Sequence, residues 1–249
     1  FQDLALPVPA GLGDVQALVL DPDAPRLITT PPYIPSQLRV QRHTAVAPDG
    51  TLTCTDQVTF AGYFAQSWRS RLDGLGDDER RGQLQYAMSG SCERVDSVTV
   101  LGDDDGGAVR LAVVWTPRTR LRHADGALTG DLPEPWSDWL LRFAPEPERT
   151  RPIDMRYHLS IAIDQTITGP GLAITAAPLP ADDRDPFMTW HATSEPQSAG
   201  WLARIVIEQL PGRHPVTAFP ALTARSATLL ERTVLRVRAA AVAAVRAQP

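Results

Sequence analysis

Between Ser36 and Phe60 the chain alternates polar and apolar residues on either side of one tripeptide, Pro48-Asp49-Gly50, and this pattern restricts the fold more than any other. Val40, Arg42 and Thr44 lead up to the tripeptide. Leu52, Cys54, Val58 and Phe60 follow it on one face, opposite Thr51, Thr53, Thr55, Gln57 and Thr59. A period of two belongs to a half-buried strand, and Pro-Asp-Gly supplies the dihedral angles of a tight turn. The stretch therefore predicts a β-hairpin with Cys54 on its core side. The period then lengthens: Phe64, Trp68, Leu72 and Leu75 form one helical stripe. Asp77 and Asp78 are suited to cap a second helix carrying Leu84 and Met88.

The same grammar continues downstream. Strands are expected at Val95–Leu101 and at Val109–Trp115, where Val109, Leu111, Val113 and Trp115 alternate. Tyr157, Leu159, Ile161 and Ile163 alternate next; the sequence TGPG turns the chain, and Leu172, Ile174 and Ala176 alternate back. Segments at Met188–Ala192 and at Trp201, Ala203, Ile205 and Ile207 complete a meander. A C-terminal helix is then predicted through Leu222, Leu229, Leu230, Val234 and Val237, running into an Ala-rich tail that is helical by propensity. The fold class expected is α+β, mainly antiparallel β in sandwich-like sheets of hairpins, with a few packed helices including a C-terminal one. Residues 1–36, punctuated by proline, read as an extended connector with an edge strand at Val15–Leu20. Residues 37–249 read as one β-rich module, with 37–125 and 150–249 as candidate subdomains. The loops at 102–107, 117–152 and 178–187 are where binding residues would sit.

Composition narrows the function. The formal charge is −5 and the pI about 5.5, so no cationic field draws the chain to nucleic acid or anionic lipid. All 24 basic residues are Arg, and Lys and Asn are absent, as in the product of a GC-rich coding sequence; no Lys amine is on offer for Schiff-base chemistry. No run reaches the roughly 18 apolar residues of a membrane span. The opening residues lack an initiator Met and a basic leader, so the chain reads as part of something longer, with no signal peptide in view.

None of the chemical motifs completes an active site. A catalytic thiol needs a partner base and a cation or helix N-terminus to lower its pKa, and Cys54 is mid-strand on the core side. Cys54 and Cys92 read either as a disulfide, in an exported protein, or as two small buried side chains. The histidines at 43, 123, 158, 191 and 214 show no metal-ligand spacing. Asp103, Asp104 and Asp105 gather three carboxylates in a turn, a weak cation candidate without the pattern of a calcium loop. Arg118, Arg120 and Arg122, with His123, form a basic cluster that reads as a solvated strand edge or a surface for an acidic partner. Trp68 and Trp115 fit core stripes, whereas Trp136 and Trp139 lie on irregular chain. Two alternatives follow. A stand-alone glycan- or ligand-binding sandwich would expose Trp136 and Trp139 beside a groove. An enzyme of another type would bring His158 or His191 into reach of a carboxylate within a pocket.

The order of features carries a resemblance. ALVLD (17–21), RLITTPPYIPSQLRVQR (26–42), the hairpin APDGTLTC, VTFAGYFAQSWRSRL, the acidic GDDER and the late LPGRHPVTAFPALTARSATLLERTVLRV succeed one another. This series resembles the C-terminal region of bacterial exported transglutaminase-like proteins, those with flanking domains of unknown function 3857 and 3858, over roughly Ala17 to Val237. The resemblance implies a β-rich module that follows a papain-like core whose Cys, His and Asp would lie upstream of Phe1. It assigns no catalytic residue and no cofactor to this chain. It implies an exported or periplasmic location, and favours a Cys54–Cys92 disulfide. Its implied partners are the upstream transglutaminase-like domain and peptide or cell-envelope material. The expectation is thus a non-catalytic accessory module that packs on such a core or presents substrate to it.

Overall fold

The computed structural model describes residues 16–19, 25–30, 35–103, 107–137, 151–155, 158–169, 171–177, 182–198 and 200–241. The described residues are mostly β with three α-helices, and among them the sheets are antiparallel apart from one parallel pair. First among the described residues is a two-stranded ribbon, β1 (Gln16–Val19) against β2 (Arg26–Thr29). The alternating stretch is a hairpin as expected: β3 (Ser36–Val46) and β4 (Leu52–Ala61) pair with Val46 opposite Leu52. Gly50 makes its turn possible. Its φ is +83°, and a Cβ there would lie 2.1 Å from the carbonyl oxygen of Leu121.

Helix α1 (Tyr63–Leu72) buries Phe64, Ala65 and Leu72, and α2 (Asp77–Ala87) buries Leu84. The N-terminus of α2 is capped one residue earlier than expected. The Gly76 amide donates to Glu79 Oε2 at 2.9 Å, leaving Asp77 and Asp78 in the first turn, where the helix dipole favours them. Strands β5 (Cys92–Asp103) and β6 (Val109–Pro117) follow, then the short hairpin β7 (Arg122–Ala124) and β8 (Ala127–Leu132). β9 (Ile153–Met155), β10 (Leu159–Thr168), β11 (Leu172–Ala177), β12 (Asp182–Arg184), β13 (Met188–Gln197), β14 (Gly200–Gln209) and β15 (Gly212–His214) lead to α3 (Phe219–Arg232).

The C-terminal expectation needs correction. Helix α3 ends at Arg232, and Leu235–Ala241 form a strand, β16, rather than more helix. Leu235, Val237 and Ala239 are buried while Arg236 and Arg238 are exposed, a period of two. Partners on both sides, β8 and β11, override the helical propensity of the alanines.

Eight strands form one sheet in the order β12-β13-β14-β10-β3-β4-β6-β5. Residues 37–125 and 150–249 contribute four strands each, and the halves meet at the parallel pair β3–β10, Ser36 opposite Leu159. One face carries Leu38, Val40, Val58, Phe60, Leu111, Ile161, Ile163, Ile205 and Ile207 and is buried; the other is mostly polar. β5 forms one edge, and shifts of register after Cys92, Val95 and Val100 disrupt it as a template for strand addition. A second sheet runs β11-β16-β8-β7, and β15 pairs with β9. Among the described residues, no helix is long and apolar enough to cross a membrane.

Candidate functional site

The alternation that builds the hairpin places two ionisable residues where apolar ones belong. Arg42 on β3 and Asp56 on β4 are direct cross-strand partners on the core face. Arg42 is 3% exposed and Asp56 0%. Their contact is bidentate, with Nε to Oδ1 at 2.8 Å and Nη2 to Oδ2 at 2.8 Å. The remaining guanidinium nitrogen, Nη1, donates to Glu134 Oε2 at 2.8 Å. Glu134 lies just beyond β8, two residues before Trp136.

Trp136 completes the arrangement. Its indole Nε1 donates to Asp56 Oδ2 at 2.7 Å, and its backbone amide donates to Glu134 Oε1 at 2.7 Å. The guanidinium of Arg42 stands over the Trp115 ring, 5.1 Å from its centroid. The polar row extends across the parallel seam: Gln165 Nε2 donates to Thr44 Oγ1 at 3.0 Å, and Thr44 Oγ1 lies 3.4 Å from Cys54 Sγ. One cation and two carboxyl groups thus share a buried site. Burial alone would lower the pKa of Arg42, but Asp56 and Glu134 more than reverse that, and the guanidinium is held above its ordinary value. Burial pushes the Glu134 carboxyl upward, against the opposing pull of Arg42.

An aromatic cavity lies on the outer side of this cluster. Phe60 and Trp68 stack with centroids 5.1 Å apart, and Trp136 meets both edge-on at 5.9 Å. With Leu38 and Met88 these rings line a cavity of about 230 Å³. Arg71 stands at its edge, 5.4 Å from the Trp68 ring. The rings offer flat apolar faces, with a guanidinium near by for an anionic end, in a volume below the roughly 300–1,000 Å³ of an ordinary ligand pocket. Asp56 and Glu134 are engaged in the cluster and are not presented to it as general acid or base.

The residues singled out from sequence fall in separate places. Cys54 and Cys92 are both buried free thiols. Cys54 faces Trp115 of β6, while Cys92 faces Pro117 on the other side of that strand, so β6 separates them. Two strand spacings amount to about 10 Å, well outside disulfide reach, and the disulfide favoured by the resemblance is corrected to two buried side chains. Burial pushes the Cys54 thiol up to about 12 and the Cys92 thiol up to about 11.

Trp136 is 6% exposed and hydrogen-bonded inside the cluster, which removes it from any exposed glycan platform. Trp139, Asp104 and Asp105 lie outside the described residues, as does the side chain of Asp103. Among the described residues, no group of three His, Cys, Asp or Glu is placed to hold a metal. Arg118 donates from Nε to the Ser89 carbonyl at 2.8 Å; Arg120 and Arg122 are exposed. His191 Nδ1 lies 2.5 Å from Asp182 Oδ1, and His158 Nε2 lies 3.8 Å from Glu208 Oε1. These are two separate surface pairs on the polar face, not one constellation.

The cluster itself was missed from sequence, although one signal for it was present. Asp56 interrupts the apolar face of β4, and the Pro-Asp-Gly turn fixes a register that puts Arg42 opposite it. Glu134 gave no such signal, being 92 residues from Arg42. No protein-family model, no curated protein and no solved structure matches the chain.

Proposed function

We propose that this chain is a non-catalytic accessory module, the role implied by its resemblance to the C-terminal region of exported bacterial transglutaminase-like proteins. In that role it packs against a papain-like core of the same parent protein, or presents peptide or cell-envelope material to it. The observation that carries the reading is the state of the two thiols. A papain-like nucleophile is a thiolate with an imidazole beside it. Here burial pushes both thiols up, and the hydrogen-bond partners of Cys54 and Cys92 are Thr44 and Gln85.

The test is to offer the purified chain a glutamine-containing peptide with a fluorescent amine, and separately a fluorogenic peptide. The expected result is no turnover, with neither thiol alkylated by iodoacetamide in the folded state. Activity that disappears in Cys54→Ala or Cys92→Ala would overturn the proposal. Reading the coding sequence upstream of Phe1 for a Cys/His/Asp core tests the parentage separately. A second reading, a small-ligand-binding module, is favoured by the cavity between Phe60, Trp68 and Trp136. Quenching of tryptophan emission by a flat aromatic carboxylate, lost in Arg71→Ala, would promote it.

A further inference from the structure

The second sheet carries a concentration of positive charge that is unusual in an acidic chain. On its outer face the cross-strand register aligns Thr175, Arg238, Thr129 and Arg122 in one row across β11, β16, β8 and β7. Arg236 lies on the same face, opposite Asp131. Arg122, Arg236 and Arg238 are all exposed, and among the described residues none of them has a carboxylate partner. Asp131 is the one acidic residue in these four strands. A guanidinium left unpaired beside others of its kind is disfavoured by mutual repulsion, and an anion between them relieves that.

An open groove of about 570 Å³ lies against this face, lined by Arg236, Arg238, Asp131, Thr129 and Thr175 and, from the large sheet, by Ser194 and Trp201; Arg122 lies outside that lining. The indole Nε1 of Trp201 is buried there without an acceptor. A buried donor without a partner is costly, and a ligand oxygen would satisfy it. Arg236 and Arg238, two residues apart on one strand, are about 7 Å apart at the backbone; Arg238 and Arg122, two strands apart, are about 10 Å apart. The volume is that of a small-molecule site.

We infer that the groove between the outer face of the β11-β16-β8-β7 sheet and Trp201 binds a small ligand bearing two or more anionic oxygen groups. The groups are spaced about 7 Å apart, to engage Arg236 and Arg238 together. The hydroxyls of Thr129 and Thr175 and the Trp201 indole suit neutral oxygens between those groups. Phosphate and carboxylate both meet this description, and this site stands independently of the accessory-module proposal.

Calorimetric titration of the whole chain with inorganic tripolyphosphate and with trigalacturonate, against neutral maltotriose, distinguishes the two sources. Saturable binding of either anion at one site, with none for maltotriose, is the expected result. The anion that binds more tightly identifies phosphate or saccharide carboxylate as the source. The double variant Arg236→Ala/Arg238→Ala weakens binding at least about tenfold. Arg236→Lys/Arg238→Lys, which keeps charge but not the forked donors, gives an intermediate loss. Trp201→Phe weakens binding by a smaller factor. Arg39→Ala/Arg204→Ala, on the solvent face of the large sheet, leaves it unchanged. Absence of binding by both anions, or affinity indifferent to the double alanine variant in a protein with an unchanged circular-dichroism spectrum, overturns the inference.

Discussion

Asp56 and Asp183 perform similar work in opposite surroundings. Asp56 is sealed in the core, where it takes both forks of Arg42 and the Trp136 indole. Asp183, on the edge strand β12, receives Arg225 Nη1 at 2.6 Å and Arg232 Nη1 at 2.5 Å and so pins α3 to the large sheet. Its side chain is about a third exposed. Water weakens each surface contact and also replaces it when it breaks, whereas nothing replaces the buried ones. The contrast predicts that a carboxylate–arginine pair holds elements together according to what remains when it is broken, and not by its geometry alone.

The contrast is open to direct attack. Asp56→Ala leaves Arg42 with one carboxyl partner and orphans the Trp136 indole, and is expected to cost about 3–5 kcal/mol in urea unfolding. A loss below about 1 kcal/mol would mean that water reaches the cluster. Trp136→Phe keeps the ring but deletes the donor to Asp56, with an expected loss of about 1–3 kcal/mol. Asp183→Asn, screened by solvent, is expected to cost about 1 kcal/mol or less at neutral pH by the same measurement.

Acid sharpens the comparison, because the two regions respond with opposite sign. The paired arginines hold the Asp183 carboxyl near 2, below its ordinary 3.8, so its contribution is present above about pH 4 and fades as pH falls toward 2. The gap between wild type and Asp183→Asn therefore closes over that window. Glu134 is raised instead, by burial, so its contribution is complete below the ordinary carboxyl range and declines as pH rises through its elevated value. Relative to Glu134→Gln, the wild type gains stability on acidification. A Glu134→Gln curve parallel to wild type from pH 4 to pH 8 would refute this. The smallest expected effect comes from replacing the whole cluster with apolar residues, Arg42→Met/Asp56→Leu/Glu134→Leu. It should be far milder than Asp56→Ala alone, and nearly neutral.

What could be read in the sequence follows from distance along the chain. The hairpin, α1, α2 and most later strands were legible because a period of two or of 3.6 is written locally and each element could bury its face as patterned. The strand at Leu235–Ala241 was misread because alanine favours helix, while the alternation of Leu235, Val237 and Ala239 acquires meaning only once β8 and β11 flank it. Half of the ionic cluster was within reach, since Arg42 and Asp56 face each other across a turn whose register is fixed by Gly50. Glu134 and Trp136 join it through tertiary packing, which no local period encodes. The cysteines were ambiguous for the same reason: one intervening strand decides whether two thiols can meet.

The parallel seam of the large sheet has a consequence for the chain as it is made. Strand β3 finds β4 within a few residues, but its other neighbour, β10, begins at Leu159, opposite Ser36. During synthesis one side of β3 therefore stays an open edge until more than a hundred further residues have emerged, and contacts of such long range form slowly. Truncation after Ser137 would retain the hairpin, both early helices and the entire ionic cluster, yet leave that edge bare. Such a fragment would present a strand template in the middle of what is normally a continuous sheet, and self-association through β3 is the behaviour to expect of it.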